Sequence, residues 1–71
     1  MPKLYSYREV IRVLTALGFT VRHQRGSHIK LKNRAGRTVI VPRRREVPLG
    51  TFDSILEQAG IDKETFESFR R

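Results

Sequence analysis

Residues 19–32 read FTVRHQRGSHIKLK, and this stretch has the pattern of a β-hairpin. Apolar and polar side chains alternate through Phe19–Gln24 and again through His28–Lys32, as they do in strands with one buried face. Gly26 lies between the two runs, where a tight loop often needs a positive φ. The hairpin therefore presents the hydroxyl of Ser27 and an imidazole at the point where the chain re-enters the sheet.

The pairing of the two strands follows from which side chains need a core. Pairing Val21 with Leu31 keeps both apolar side chains on one face. Gln24 then lies opposite His28, and a three-residue loop, residues 25–27, joins the strands. On the exposed face we expect His28 together with Arg22, Gln24 and Lys30, whereas the core-facing side is expected to hold His23, as a half-buried packing residue beside Ile29.

Helical patterns lie on both sides of the predicted strands. Apolar residues recur at helical spacing before the hairpin and again after a third, β-branched run. The predicted elements are a helix over Tyr7–Leu17 with a capping box at Ser6 and Glu9, a turn at residues 33–36, a strand over Arg37–Val41 with Val39 and Val41 facing inward, a helix from about residues 48–51 to Ala59 with Gly60 as C-cap, and a short helix capped by Asp62 whose Phe66 and Phe69 pack back.

These elements predict an α+β fold. Each main helix has one apolar stripe and the sheet has one apolar face, so both helices bury most surface by packing on that face. The sequence predicts one domain over residues 1–71, a three-stranded antiparallel sheet with helices on one face. This is the α-β-β-β-α layout of double-stranded-RNA-binding domains, followed by a short C-terminal helix, and its other sheet face is basic and open to water.

Positive charge is concentrated in one part of the chain. The net charge is +8, and there is no Asp or Glu between Val10 and Arg45. Lysines and arginines in this span are Arg12, Arg22, Arg25, Lys30, Lys32, Arg34, Arg37, Arg43, Arg44 and Arg45. A one-sided field of this kind suits a polyanion, most often a nucleic acid. The alternative is a solvated basic surface without a ligand.

Composition excludes several kinds of site. The chain has no cysteine, which rules out disulfides and thiolate metal sites. No apolar run approaches the roughly 18 residues of a membrane span. Residues 1–3 lead directly into a helix signal, so we expect no secretory signal and a cytoplasmic location. Two histidines with few carboxylates nearby predict neither a metal site nor a cofactor.

His28 is the candidate catalytic residue. RNA carries its own nucleophile, the 2′-hydroxyl, so its cleavage requires a base for that hydroxyl, cations for the phosphate and an acid for the leaving 5′-oxygen, but no metal ion. An imidazole can exchange a proton near neutral pH. The alternative is an exposed strand histidine without a chemical role.

The candidate RNA contacts are the cations around the hairpin and a second basic segment. Arg43-Arg44-Arg45 precedes a helix whose first amide groups, near Thr51, form a potential anion site. A solvated loop is the alternative there, and Ser27 either contacts a phosphate or completes the turn. The predicted RNA-binding residues are Arg22, Arg25, Ser27, Lys30, Lys32, Arg43, Arg44, Arg45 and Thr51.

Several short motifs follow one another along the chain. They are Gly18-Phe19, Arg25-Gly26-Ser27-His28, Gly36-Arg37 followed by Val39, Val41-Pro42, and the segment PLGTFDSILEQAGI at residues 48–61. In order and spacing they resemble the HicA toxins, also described as YcfA-like proteins. The resemblance implies a type II toxin with a double-stranded-RNA-binding-like fold that acts as a metal-independent mRNA interferase. It also implies that His28 is catalytic and that a HicB antitoxin covers the active surface.

One position departs from the pattern of that family. Many members carry a second histidine directly after the first, whereas this chain has Ile29. The general acid therefore stays open, with Lys30, Arg22 and water as candidates. A non-catalytic RNA- or DNA-binding module and a protein-binding element that uses the same basic face are the alternative functions.

Overall fold

The computed structural model describes residues 3–70 and contains three helices and three strands. In chain order they are α1 (Tyr7–Ala16), β1 (Thr20–Arg25), β2 (His28–Lys32), β3 (Thr38–Pro42), α2 (Leu49–Ala59) and α3 (Lys63–Arg70). The strands form one antiparallel sheet in the order β1-β2-β3. This confirms the predicted α+β fold. The described residues do not include 1, 2 and 71. The predicted limits of the domain and the expected lack of a secretory signal depend on those residues and therefore lie outside the described part.

The helix ends agree closely with the sequence prediction, although α1 ends at Ala16, one residue before the predicted Leu17, which is its C-cap. The Ser6 hydroxyl accepts a hydrogen bond from the Glu9 amide at 3.2 Å, and the Ser6 amide donates to the Glu9 carboxylate at 3.2 Å. At the end of α2, Gly60 has a φ of +74°. The Thr65 amide donates to Asp62 Oδ1 at 2.7 Å, which lowers the pKa of that carboxyl group. Within residues 3–70, no helix has the length and apolar composition needed to span a membrane.

The core lies between one face of the sheet and the helices. Its sheet residues are Ile29, Leu31, Val39 and Val41, all at most 4% exposed. The helices contribute apolar stripes that contain Val10, Val13, Leu14, Phe52, Ile55, Leu56, Ala59 and Phe66. Because both main helices use the same sheet face, the opposite face of the sheet stays open to solvent.

Three aromatic rings close one side of this core. Tyr5, Phe52 and Phe66 pack with ring centroids 4.9–5.1 Å apart. The sequence prediction for Phe66 is confirmed, but the prediction that Phe69 also packs back is wrong, since its side chain is 45% exposed. Phe69 lies three residues further along α3 and is therefore rotated by about 60° from the buried stripe.

The β1–β2 hairpin differs from the predicted pairing. Val21 does pair with Leu31, but the register shifts by one residue between Val21 and His23, which leaves a β-bulge at Arg22. Arg25 is therefore the partner of His28, and the connecting loop has only two residues, 26 and 27. The predicted three-residue loop is wrong. Gly26 has a φ of +57° at the first loop position, where a two-residue hairpin of type II′ needs a positive φ.

The bulge reverses the faces of the residues that follow it. His23 pairs with Lys30 and lies on the exposed face, so its predicted place on the core side is wrong. Gln24 pairs with Ile29 and lies on the opposite side, which corrects its predicted place beside His28. The physical reason is that every residue of β1 is exposed, including Val21 at 49%, so burial does not enforce a strict alternation.

Candidate nucleic-acid interface

The outer face, defined here as the sheet face turned away from the helices, carries the candidate site. Partner residues of an antiparallel pair point to the same side. The outer face is therefore formed by Thr20, His23 and Arg25 of β1, by His28, Lys30 and Lys32 of β2, and by Thr38, Ile40 and Pro42 of β3. It combines two imidazoles with three cations and contains no carboxylate among these positions.

His28 lies at the start of β2, directly after the hairpin loop. Its side chain is exposed, as the sequence predicts, and its strand partners are Arg25 and Pro42. Side chains at directly paired positions have Cβ atoms about 4.5–5.5 Å apart, so Arg25 is the cationic residue of β1 that lies nearest to His28 in the register. Arg22, which the sequence predicts on the same exposed face as His28, instead occupies the bulge, three residues before Arg25 along β1.

The basic loop, residues 43–45, is attached to the same end of the sheet. The Arg43 amide donates to the Ser27 carbonyl at 2.6 Å, which ties the loop to the hairpin turn. The Tyr7 amide donates to the Arg44 carbonyl at 3.0 Å, which ties it to the start of α1. Because His28 follows Ser27 directly, these bonds bring the arginines of the loop close to the candidate base.

Tyr7 belongs to this end of the molecule, although the sequence gives no signal for it. Arg8 Nε donates to Tyr7 Oη at 3.3 Å, and the Arg43 guanidinium carbon lies 5.9 Å from the centre of the Tyr7 ring. Hydrogen bonds from Arg43 and then Arg8 lower the pKa of the Tyr7 hydroxyl. The phenol thus gathers two guanidinium groups at the edge of the site, because the basic loop folds back onto α1.

Three residues, 46–48, separate the basic loop from the start of α2. Its N-cap, Pro48, makes no side-chain hydrogen bond to the first turn, so the first amides have no side-chain acceptor there. Thr51 is half-buried in that turn. The anion site that the sequence predicts at this end of α2 stays a prediction.

A shallow groove lies at the opposite end of the sheet from His28. It has a volume of roughly 480 Å³ and is lined by Gly18, Thr20, Arg22, Lys32, Asn33 and Arg34. Lys32 is four residues from His28 along β2, which corresponds to about 13 Å. The predicted RNA contacts therefore fall into two groups, one at each end of the sheet, joined by the outer face.

The cations of these surfaces are not neutralised by acidic side chains. Within residues 3–70 the one ion pair joins Arg70 and Glu67, both on α3, at 3.1 Å. Arg37 is engaged elsewhere, since its Nη1 donates to the Gln58 carbonyl at 3.1 Å and its guanidinium fills the space beside Gly60. The part of the chain that the structure describes brings no three His, Cys, Asp or Glu residues together as a metal site.

Comparison with known families identifies the chain. Residues 7–61 match the family described as HicA toxin of bacterial toxin-antitoxin, a span that runs from α1 through the sheet and the basic loop to the end of α2. The comparison with curated proteins finds no match. The chain therefore belongs to the HicA toxin family, as the toxin of a toxin–antitoxin system whose partner is an antitoxin.

Proposed function

We propose that this toxin is a metal-independent endoribonuclease that cleaves mRNA, with His28 as the general base. The observation that carries the proposal is the exposed imidazole of His28 on a cationic sheet face that no helix covers within residues 3–70. Membership of a toxin family supports it, because a small cationic toxin needs an abundant anionic target.

The reaction would use the nucleophile that RNA already contains. His28 removes the proton of a 2′-hydroxyl, and the oxygen attacks the adjacent phosphorus. The bond from phosphorus to the 5′-oxygen breaks, and that oxygen takes up a proton from an acid and leaves as a 5′-hydroxyl. Charge on the phosphorane is then stabilised by Arg25 on β1 and by the cations of the basic loop. A positioned base contributes about 10²–10⁴-fold in rate, which sets the size of the effect expected from His28.

The cationic surface suggests how RNA lies on the protein. One segment would contact the basic loop and the hairpin, and the next would cross the outer face toward the groove. We propose that the RNA-binding residues are those predicted from the sequence, namely Arg22, Arg25, Ser27, Lys30, Lys32, Arg43, Arg44, Arg45 and Thr51. This arrangement makes binding strongly salt-dependent.

The same surface suggests the chemistry of the antitoxin. We propose a HicB-type partner that places carboxylates on the basic loop and the outer face and so excludes RNA. Replacing all three arginines, Arg43→Glu, Arg44→Glu and Arg45→Glu, should lower the association rate and the affinity for that partner. Unchanged affinity in calorimetry would rule out an electrostatic seal at this loop.

The decisive experiment is RNA cleavage in excess EDTA by the wild type and His28→Ala. Because the His28 side chain is exposed, the variant should fold and bind RNA as the wild type does. We expect a cleavage rate about 10²–10⁴-fold lower. Gln24→Ala is the matched control, since Gln24 is exposed on the same hairpin but points to the other side.

Each other outcome has a distinct meaning. Equal cleavage by His28→Ala and the wild type would remove His28 from the mechanism. Cleavage that EDTA abolishes would contradict the metal-independent reaction. Salt-sensitive binding without any cleavage by the wild type would instead identify a non-catalytic RNA-binding module.

A further inference from the structure

The bulge at Arg22 brings a second imidazole onto the outer face. His23 pairs directly with Lys30, and His28 lies two residues before Lys30 on β2, so His23 and His28 are diagonal neighbours on one side of the hairpin. Diagonal positions have Cβ atoms about 7–8 Å apart or somewhat less, within reach of long side chains. Two imidazole rings at this spacing can contact the two sides of one phosphodiester.

We propose that His23 is the general acid of the cleavage reaction and acts together with His28 as the base. The proposal rests on the endoribonuclease function proposed above and deepens it by naming the proton donor. Bulges are over-represented next to active sites, where the extra residue re-aims a side chain. Here Arg22 is the extra residue and His23 is the side chain that it re-aims.

The two histidines complete a balanced proton transfer. Neutral His28 takes the proton of the 2′-hydroxyl while the new bond from the 2′-oxygen to phosphorus forms. The bond from phosphorus to the 5′-oxygen breaks, and protonated His23 gives its proton to that oxygen. The products are a 2′,3′-cyclic phosphate and a free 5′-hydroxyl, and exchange with water restores both imidazoles because both side chains are exposed.

Other candidates for the acid are less suited to this step. Ile29 occupies the position after His28 and is only 4% exposed in the core, so no side chain at that position reaches the substrate. The guanidinium of Arg22 does not release its proton in proteins. Lys30 offers an ammonium, a class of group that ordinarily exchanges its proton well above neutral pH, whereas imidazoles as a class exchange it near neutral pH, where general acid catalysis is most efficient.

The charged side chains at the outer-face positions around the two rings are all cations. Arg25 and Lys30 are their direct strand partners, with Lys32 further along β2. The β3 positions on this face, Pro42, Ile40 and Thr38, carry no charge. Within residues 3–70 neither imidazole forms an ion pair with a carboxylate, since the one ion pair there joins Arg70 and Glu67. A phosphate bound between the rings would be the anion that contacts both of them.

The test compares a single-substitution variant and a double-substitution variant of β1. His23→Gln removes the imidazole. The exchange variant, His23→Gln with Gln24→His, keeps the composition and net charge but moves the imidazole to the other side of β1. All residues of β1 are exposed, so both variants should fold as the wild type does.

Two substrates separate acid catalysis from a structural role. One is an RNA that the wild type cleaves, and the other is the same RNA with sulfur in place of the bridging 5′-oxygen at the cleaved position. A thiolate leaves without a proton, so loss of a general acid matters only for the oxygen substrate. We expect both variants to cleave the oxygen substrate about 10²–10⁴-fold more slowly. With the sulfur substrate both variants should approach the wild-type rate. For the variants on the oxygen substrate, the fall in cleavage rate at alkaline pH that the wild type shows should disappear.

The outcomes distinguish this proposal from the one on which it rests. If the wild type cleaves and His28→Ala does not, but His23→Gln cleaves within about threefold of the wild type, then His23 is not the acid while the endoribonuclease function stands. An equal loss on both substrates would also overturn the proposal, since it would show a positioning effect. If the wild type cleaves no RNA at all, so that no such substrate is found, both proposals fail together.

Discussion

The two outer strands of the sheet flank the same central strand but have opposite environments. On β3, Val39 and Val41 are completely buried and Ile40 is 37% exposed, a clean alternation. On β1 every residue is exposed, even Val21, although Val21 and Val39 both pair with Leu31. The strand without burial is also the one that carries the bulge.

This contrast shows how burial enforces register. A one-residue slip in β3 would move two buried valines into water, so the pairing there is strongly specified. On the free edge of β3, the Ile40 amide also has a hydrogen-bond partner, because it donates to Gln58 Oε1 at 2.9 Å. A slip in β1 moves no buried side chain. A bulge is therefore tolerated on β1, and the candidate site gains a histidine from it.

The largest difference in stability should appear between two deletion variants, one that lacks a residue of β3 and one that lacks a residue of β1. Deleting Ile40 makes Val39 and Val41 neighbours and forces one of them out of the core, at a cost of about 1.5–3 kcal/mol for the side chain alone. A domain of this size has only about 3–5 kcal/mol of net stability, so this variant should lose a large part of it. Deleting Arg22 should leave a folded protein, because the pairs on either side of the bulge already occupy adjacent positions on β2. Circular dichroism and thermal unfolding measure both, and equal unfolding of the two variants would contradict the comparison.

A smaller effect should separate the two valines that pair with Leu31. Val39→Ala removes two buried methyl groups and leaves a cavity, which should lower the free energy of unfolding by about 2–3 kcal/mol. Val21→Ala changes a half-exposed side chain and should cost about 0.5 kcal/mol or less. Urea denaturation gives both values. A Val21→Ala cost similar to that of Val39→Ala would mean that β1 contributes to the core as much as β3 does.

A third experiment compares an arginine in β1 with the arginine that directly precedes β3. Arg22 lines the open groove, whereas Arg37 donates to the end of α2. If RNA crosses the groove, Arg22→Gln should reduce the slope of log affinity against log salt by about 0.7, as expected for one lost phosphate contact on a single strand. Arg37→Gln should leave the slope unchanged. Fluorescence anisotropy at several salt concentrations provides the measurement, and equal slopes for Arg22→Gln and the wild type would exclude a groove contact.

The smallest effect concerns the edge of β3. Gln58→Ala removes the acceptor of the Ile40 amide, which water then replaces because the site is exposed. The expected loss of stability is about 0.5–1 kcal/mol. Amide hydrogen exchange should report faster exchange at Ile40 while the central strand stays protected. Unchanged exchange at Ile40 would show that the Gln58 side chain does not hold this edge.

Much of the fold was predictable because its signals are local. The capping box at Ser6, the positive-φ glycine at Gly60 and the helical apolar stripes involve residues a few positions apart, so the sequence pattern contains them completely. The errors lie in two parts of the chain, where local pattern competes with packing. Phe69 is apolar but lies beyond the filled aromatic cluster, and β1 alternates in sequence without being buried.

The candidate site was predictable only in part. The exposed position of His28 follows from the alternation of β2, whose other face is buried. The place of His23 depends on the bulge, and the gathering of Arg8 and Arg43 around Tyr7 depends on two loop contacts between distant segments. Local sequence spacing does not encode either arrangement.

For this protein, the fold class, the caps, the basic half of the chain and the exposed imidazole of His28 follow from the order of residues alone. They follow because helix and strand periods, turn chemistry and charge are properties of neighbouring residues. Which side of β1 each residue occupies, and which arginines meet at Tyr7, depend on the folded chain. Those features are set by pairing across the hairpin and by loop docking, since no buried side chain in β1 is present to enforce the pattern written in its sequence.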